Sequence, residues 1–441
     1  MNLKKTLLSI KRRLIPPRSG REKLWVELLQ AYRLYRRDGP GGLLNFARVS
    51  LRGQQSFVPA WWIAAEFDSP RQPDRLPVLD WARASAAQGT VILYSGMPFV
   101  EAGGQRSYWL ARAFLEQGLR VLFVFWRFND QQPCAQEKDS PNLYLMPMDQ
   151  FWLQAPSILD ASRDWPGRKL FLAEMPHPSL FKLINLANAS GWYTALDQID
   201  DWAAFQRLGQ ASWYLPQFED YLAANSDLVM ASSPLLAEQL QTRTGRVVHL
   251  LPNAYNPQSL DLGQSRQPLE RRQVTLGYFG HLTNAWFDWD LLRWLASRHT
   301  DWIIYLIGAG EEPPFQLPEN IRLLGQIAHP KLAAYAANWD AALIPFKVLD
   351  LTRAVDPIKV YEYLALGLPV VAAGMPHLQQ RMPFVWSVET AQGFEAAILA
   401  ALGNPAAGEN VEAFLAANTW RRRAEQILEL LPPGPGAWVK G

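Results

Sequence analysis

The stretch PFKVLDLTRAVDPIKVYEYLALGLPVVAA, residues 345–373, decides how the rest of the chain is read. The apolar run AALIPF (341–346) leading into it predicts a buried strand, and a charged loop follows. Asp356 and Pro357 then predict a helix start, a carboxylate to cap free N–H groups and a ring suited to the first helical position. Gly367 stops the helix, and PVVAA (369–373) opens the next strand at once. Strand, loop, helix and strand in such short succession make the repeating unit of a parallel sheet covered on both faces.

The same alternation extends outward. VTLGYFG (274–280), WIIYLIG (302–308) and IRLLG (321–325) complete one set of strands. An earlier set comprises TVILYS (90–95), RVLFVFW (120–126), KLFLAEM (169–175), GWYTALD (191–197), DLVMAS (227–232) and VVHLL (247–251). A helix from about Gly104 to Gly118 joins the first two. Residues 253–273 between the sets are polar, Pro-bearing and aperiodic, which marks a linker. The pattern therefore predicts an α/β fold with two Rossmann-like domains facing across a cleft, with ligands at the carboxyl ends of the strands. The expected divisions are a basic helical extension at 1–88, one Rossmann-like domain at 89–260, a linker at 261–273 and a second such domain at 274–408. A C-terminal helix, spanning 411–431, and a loose tail fill 409–441.

Composition agrees with this size. The 441 residues are 49% apolar and 19% charged, ample for two cores. Trp is abundant at 19 residues, and indoles serve cores as well as sugar-binding surfaces. The single cysteine, Cys134, excludes an internal disulfide and a Cys-based zinc site. No stretch has the ~18 consecutive apolar residues of a membrane span. The start of the chain lacks the apolar core and cleavage site of a signal peptide. A cytoplasmic setting is expected.

The net charge of +2 conceals an asymmetry. Residues 1–53 hold 13 Lys/Arg against 3 acidic residues, and the remainder holds 30 against 38. With aromatic residues interspersed and amphipathic helices expected at 22–37 and 42–51, such an arm suits an anionic membrane surface. A solvated arm packed on the body is the alternative. Nucleic acid is not an expected partner, because no binding motif accompanies the charge.

Several chemistries are excluded. There is no GxxxxGK[ST], HExxH or GxSxG, and Gly308-Ala309-Gly310 continues with Glu311 and Glu312 rather than as a dinucleotide fingerprint. The six histidines are scattered, so no metal or other cofactor is expected.

The remaining signals converge on an anion. Free N–H groups and the positive dipole end at a helix start suit a diphosphate. Arg353 and Lys359 can add formal charge, and Glu362, three residues beyond Lys359, can accept the hydroxyls of a ribose. A capped surface helix with one ion pair would show the same local pattern, but the buried face implied by Tyr361, Tyr363 and Leu364 favours a site. In ALDQIDDW (195–202), Asp197, Asp200 and Asp201 stand where a strand leaves its sheet, placed for base catalysis or helix capping. His177 and the Gly-rich turn Gly103, Gly104, Gln105 and Arg106 follow other strands and are candidates for contact with an acceptor.

DPIKVYEYLALGLPVVA resembles the donor-site signature of bacterial GT-B glycosyltransferases related to family 4. GYFGHLTNAWFDWDLLRWLA (277–296), LLPNAYNP (250–257) and SDLVMASSPLLAEQL (226–240) resemble further parts of that family in the expected order. The resemblance covers roughly residues 90–430 and implies a nucleotide-sugar donor, linked to UDP or GDP, and a glycan or lipid-linked acceptor. It implies a hexosyl transfer without a metal ion, in bacterial surface polysaccharide synthesis. It assigns Glu362 to the donor ribose, Lys359 and Arg353 to the diphosphate, and Gly280 and His281 to a closing loop. Phe346, or the loop around Ile307 and Gly308, would meet the base. Retaining members carry an acid eight positions before the ribose Glu. Here that position is Ala354, and Asp356 is the nearest acid, so either Asp356 or another group replaces it or the reaction inverts with Asp200 as first choice of base. A nucleotide-sugar epimerase or hydrolase, or a non-catalytic binding module, are the other functions this scaffold supports.

Overall fold

The computed structural model describes residues 76–84, 87–99, 105–126, 135–137, 140–404, 406 and 408–432. The basic arm at 1–53, with its two expected helices, lies outside them, as do Gly103, Gly104 and Cys134.

Two sheets carry the chain. The strands of the first are β1 (Gly89–Tyr94), β2 (Arg120–Phe125), β3 (Ala135–Gln136), β4 (Leu143–Pro147), β5 (Arg168–Ala173), β6 (Tyr193–Gln198), β7 (Leu228–Ala231) and β8 (His249–Leu250). They run in the order β3-β4-β2-β1-β5-β6-β7-β8, all parallel except the two-residue β3. The second sheet contains β9 (Val274–Phe279), β10 (Trp302–Ile307), β11 (Ile321–Gly325), β12 (Ala341–Ile344), β13 (Val370–Ala373) and β14 (Val385–Val388), in the order β11-β10-β9-β12-β13-β14. Both follow the doubly wound pattern, in which strand order reverses beside the first strand. The reversals fall between β1 and β5 and between β9 and β12, and each opens a crevice at the carboxyl ends.

The strands form because their residues are apolar on both faces. β1, β2, β5, β9 and β10 are buried throughout, as helix-covered parallel strands must be. Three strands beyond those expected, β3, β4 and β14, lie at or next to a sheet edge. β3 has two residues and β14 four, one of them Ser387, while β4 (LYLMP) is apolar but short and closed by Pro147.

Three expectations change. The helix Pro77–Ala84, inside the supposed extension, packs Val78 and Trp81 into the first domain's core, and Trp81 donates to the Pro141 carbonyl at 2.9 Å. The single helix expected at 411–431 is two, Glu409–Ala417 and Trp420–Leu430. Thr419 breaks it, adopting an extended backbone and capping the second helix at the Arg422 amide. That second helix packs Trp420, Ala424 and Ile427 onto the first domain, so the chain end returns across the molecule. The helix expected to open on an Asp356 cap is Ile358–Ala365, with Pro357 at its N-cap and no side-chain cap. Asp356 is turned away by stronger partners described below.

Among the described residues no helix is long and apolar enough to cross a membrane.

Candidate functional site

The donor half is built where β9 and β12 end. Gly280 follows β9 at φ 147°, and a Cβ there would stand 2.9 Å from Lys359 Nζ and 2.7 Å from Tyr278 Oη. Gly308 follows β10 at φ 154°, and a Cβ there would lie 1.8 Å from the Gly280 carbonyl oxygen. Only glycine lets these two loops meet above the helix Ile358–Ala365.

Lys359 lies under the Gly280 loop. Its ammonium donates to Tyr278 Oη at 3.5 Å and sits 5.1 Å and 5.2 Å from the ring centres of Tyr278 and Phe346. Burial of the ammonium lowers its pKa to about 8, partly opposed by the charge of Glu362. Glu362 is 3% exposed, and its Oε1 meets His329 Nε2 at 2.6 Å rather than pairing directly with Lys359. His329 belongs to the loop after β11 and was not among the expected site residues. Its position after a strand's carboxyl end was the available signal.

The other donor candidates are placed differently. Arg353 is exposed, ends the short helix Asp350–Arg353 and pairs with Glu389 at 2.8 Å. Phe346 is buried beside Lys359 and also lines a cavity of about 630 Å³ with Asp288, Trp294 and Glu389. His281 is exposed, with its ring 6.3 Å from Trp286, and its carbonyl accepts from Tyr278 Oη at 3.0 Å. Asp356 is 2% exposed, and its Oδ2 accepts from the Asn253 amide at 2.7 Å and from Tyr361 Oη at 3.1 Å. Ala354, at the position of the missing acid, packs with Ala231 and Leu236 in an apolar contact between the domains.

A buried polar chain continues from Asp356 into the first domain. Asn253 Oδ1 accepts from Arg106 Nη1 at 3.1 Å. The Arg106 guanidinium grips both oxygens of Asp197, at 2.8 and 3.0 Å. Arg106 is 4% exposed and Asp197 fully buried, so each charge is neutralised by the other. This arginine therefore ties the linker to the end of β6. Gln105 is the N-cap residue of the helix Arg106–Glu116 and makes no side-chain cap.

The three aspartates thus divide. Asp197 is taken by Arg106. Asp201 caps the helix Trp202–Arg207 through the Ala204 amide at 2.7 Å. Asp200, half-buried, has no side-chain hydrogen bond or ion pair among the described residues. Burial raises its pKa to about 7, the Asp201 charge adds to this, and Arg106 opposes it. A carboxylate poised near neutrality is what proton abstraction needs.

His177 is 1% exposed, stacked on Trp152 at 5.1 Å and flanked by Trp126 and Trp213. Its Nδ1 shares a hydrogen bond with Ser179 Oγ at 2.8 Å, and burial lowers its pKa to about 3, so the ring is neutral.

A further acid was missed. Glu174 follows β5 at the first sheet's crevice and is fully buried, and among the described residues only weak contacts with the Ser107 and Ser95 hydroxyls reach its carboxyl group. Burial and the Asp197 charge raise its pKa to about 8. Because the folded state holds this proton more tightly than the unfolded chain, the group costs stability as pH climbs from the unfolded carboxyl value toward about 8. Glu174→Gln, an isostere of the protonated form, is expected to match the parent near pH 4, below the unfolded carboxyl value, and to exceed it increasingly up to pH 9 in urea denaturation. Equal stability at both would contradict a buried neutral acid.

Residues 273–404 match the family model of glycosyl transferases group 1. The chain is 27% identical over 177 residues to a Bacillus subtilis (strain 168) protein named as a teichuronic acid biosynthesis glycosyltransferase, TuaH, a match covering 36% of this chain and 44% of that protein. It resembles in fold the Anabaena HepE structure in complex with UDP and glucose, with TM-score 0.52 and 14% identity over 78% of this chain and 99% of that one. The E. coli trehalose-6-phosphate structure bound with UDP-2-fluoro glucose gives 0.51 and 12% over 78% and 98%. Residues 273–404 are thus similar to a glycosyl transferases group 1 domain, and the two sheets share the two-domain GT-B fold of these structures.

Proposed function

We propose that this protein transfers a glycosyl group from a nucleotide-diphosphate sugar to a hydroxyl of a glycan or lipid-linked acceptor in surface polysaccharide synthesis. The observation that carries the reading is Lys359, an ammonium without a carboxylate bonded to it, desolvated beneath the Gly280 loop and next to the buried Glu362. The group 1 domain, the name of the B. subtilis relative and the UDP in the HepE complex support it.

In this reading the acceptor oxygen attacks the anomeric carbon, the bond from that carbon to the β-phosphate oxygen breaks, and the nucleoside diphosphate leaves with the electron pair. The hydroxyl proton passes to Asp200. Lys359 and the N–H groups opening the helix Ile358–Ala365 stabilise the charge growing on the leaving phosphate, the role a metal ion fills elsewhere. Glu362 orients the donor through its ribose, with His329 fixing the carboxylate. In this reading the reaction inverts, which is supported by Ala354 standing in an apolar contact where retaining relatives carry an acid.

A thermal-shift screen against UDP-, GDP-, dTDP- and CMP-sugars tests this. Ligand at a hundred times its Kd stabilises by about 2.7 kcal/mol, so one class should raise Tm by several degrees. No shift with any of them would remove the donor site.

The arm at 1–53 fits the same role by holding the enzyme against anionic lipid at the cytoplasmic face, at about 1 kcal/mol per basic residue near the surface. Deleting it should abolish co-sedimentation with phosphatidylserine-containing liposomes. Equal sedimentation with and without the arm would overturn that role.

A further inference from the structure

A second cavity, of about 760 Å³, lies among the helices Trp202–Arg207, Pro216–Asn225 and Pro234–Thr244 and is closed on one side by Asp350 and Arg353 of the second domain. Its volume falls within the range of small-molecule sites, about 300–1,000 Å³. It begins where β6 ends and runs outward along Pro234–Thr244 as far as Arg243, longer than one sugar ring requires.

Among the described residues three buried polar atoms of its lining have no partner: the acceptors Gln198 Oε1 and Glu219 Oε1, and the donor Trp202 Nε1. Buried polar groups are nearly always paired, so an unpaired donor and acceptor on one cavity point to a missing ligand. A hydroxyl answers both, since it donates and accepts at once. The Gln198 amide is held in place, its Nε2 donating to the Asp200 carbonyl at 3.0 Å.

The aromatic faces suit the apolar side of a sugar ring. Trp202, half-buried, lies 5.2 Å from Trp213 and 6.0 Å from Phe205. Phe205 meets Trp286 of the second domain edge-on at 6.0 Å, and Trp286 lies 6.3 Å from His281 beside Gly280. A file of rings therefore leads from the cavity to the loop over Lys359.

Charge selects among hydroxylated ligands. The three arginines of the lining are already paired: Arg207 with Asp350 at 3.8 Å, Arg243 with Glu219 and Asp220, and Arg353 with Glu389 at 2.8 Å. Asp201 and Glu238 add negative charge. Among the described residues no cation of the lining is left for a phosphate or sulfate group.

We propose that this cavity is the subsite for the neutral saccharide chain of the acceptor, with Trp202 Nε1 and Gln198 Oε1 binding one of its hydroxyls and the Trp202 ring facing a sugar. The inference rests on the transferase reading and locates its second substrate.

The test uses the full chain on an array of immobilised oligosaccharides of two to six sugars, neutral, sulfated and phosphorylated, with UDP titrated into the same samples. Trp202→Phe keeps a ring and deletes the N–H, and Trp202→Ala removes both. The parent should bind at least one neutral oligosaccharide, weakened about fivefold by Trp202→Phe and at least about tenfold by Trp202→Ala, with UDP affinity and melting temperature held. Loss of saccharide binding in a chain that binds no UDP would support the subsite while removing the donor assignment. Binding only to sulfated or phosphorylated saccharides, none to any, or affinities for both variants within about twofold of the parent would overturn the proposal.

Discussion

Asp200→Asn is expected to lower the rate of glycosyl transfer by about two to four orders of magnitude, the usual weight of a general base, with nucleotide affinity unchanged. Asn copies the size and hydrogen bonding of a protonated Asp but cannot take a proton. The prediction singles out Asp200 because its neighbours are committed, Asp197 to Arg106 and Asp201 to its helix. The pH dependence follows from the pKa of about 7. A base works when ionised, so kcat should rise tenfold per unit up to that value and level off above it. Asp200→Asn should abolish this limb along with the activity. Asp197→Asn should fail differently: it strands the buried Arg106 charge, costing about 3–5 kcal/mol of stability, and should appear as a lost fold rather than a slow enzyme. Near-normal turnover by Asp200→Asn would place the base elsewhere.

Lys359→Ala should weaken nucleoside diphosphate binding by about two orders of magnitude, from the loss of about 2–3 kcal/mol of charge-assisted hydrogen bonding. The parent carries a further signature. Free Lys359 titrates near 8, because burial disfavours its charge. A bound diphosphate favours the charged form and raises that value, so binding takes up a proton above pH 8. Affinity should therefore hold below pH 8 and fall by up to tenfold per unit above it, until the pKa of the complex is reached. Lys359→Ala should show weak binding with no such fall between pH 8 and 10, as measured by calorimetry in buffers of different ionisation enthalpy. A parent whose affinity is flat across that range would contradict a lysine–phosphate contact.

Much of this was legible in the sequence because it depends on local pattern. Apolar runs buried on both faces, separated by helices, predict doubly wound sheets wherever they recur, and β1, β2, β5, β9 and β10 are of that kind. Short elements give little pattern, which is why β3, with two residues, β14, with four, and the five-residue β4 escaped. The helix at 358–365 was legible from Pro357 and Gly367, but the partner of Asp356 was not. A capping carboxylate and one that accepts from the amide of Asn253, far away in the chain, look alike in sequence. The same holds for Arg106, whose place after a Gly-rich turn suggested contact with substrate, while its partners Asp197 and Asn253 come from distant segments. His329 and Glu174 were hidden because a lone His or Glu has no periodicity. Their one signal in the sequence was a place at or just past the end of a predicted strand, which many other residues share.

Two tiers of charge emerge from the comparison. Arg106, Asp197, Asn253 and Asp356 form a chain of hydrogen bonds and ion pairs that joins the domains at the linker, with Asp356 also 3.6 Å from Arg381. Lys359 and Asp200 titrate near neutral pH because of burial, with no opposite charge bonded to either among the described residues. Groups of the first kind hold a cleft together. Groups of the second kind are free to act within it.

The central claim is that a nucleoside diphosphate sits between the Gly280 and Gly308 loops and the helix bearing Lys359 and Glu362. Its most direct test is calorimetric titration of UDP and GDP into the parent chain and Glu362→Ala. At least one nucleotide should bind the parent, and Glu362→Ala should weaken it by at least about tenfold, or 1.4 kcal/mol, without lowering the melting temperature of the free protein by more than a few degrees. Equal affinity for that nucleotide in both proteins would contradict the account.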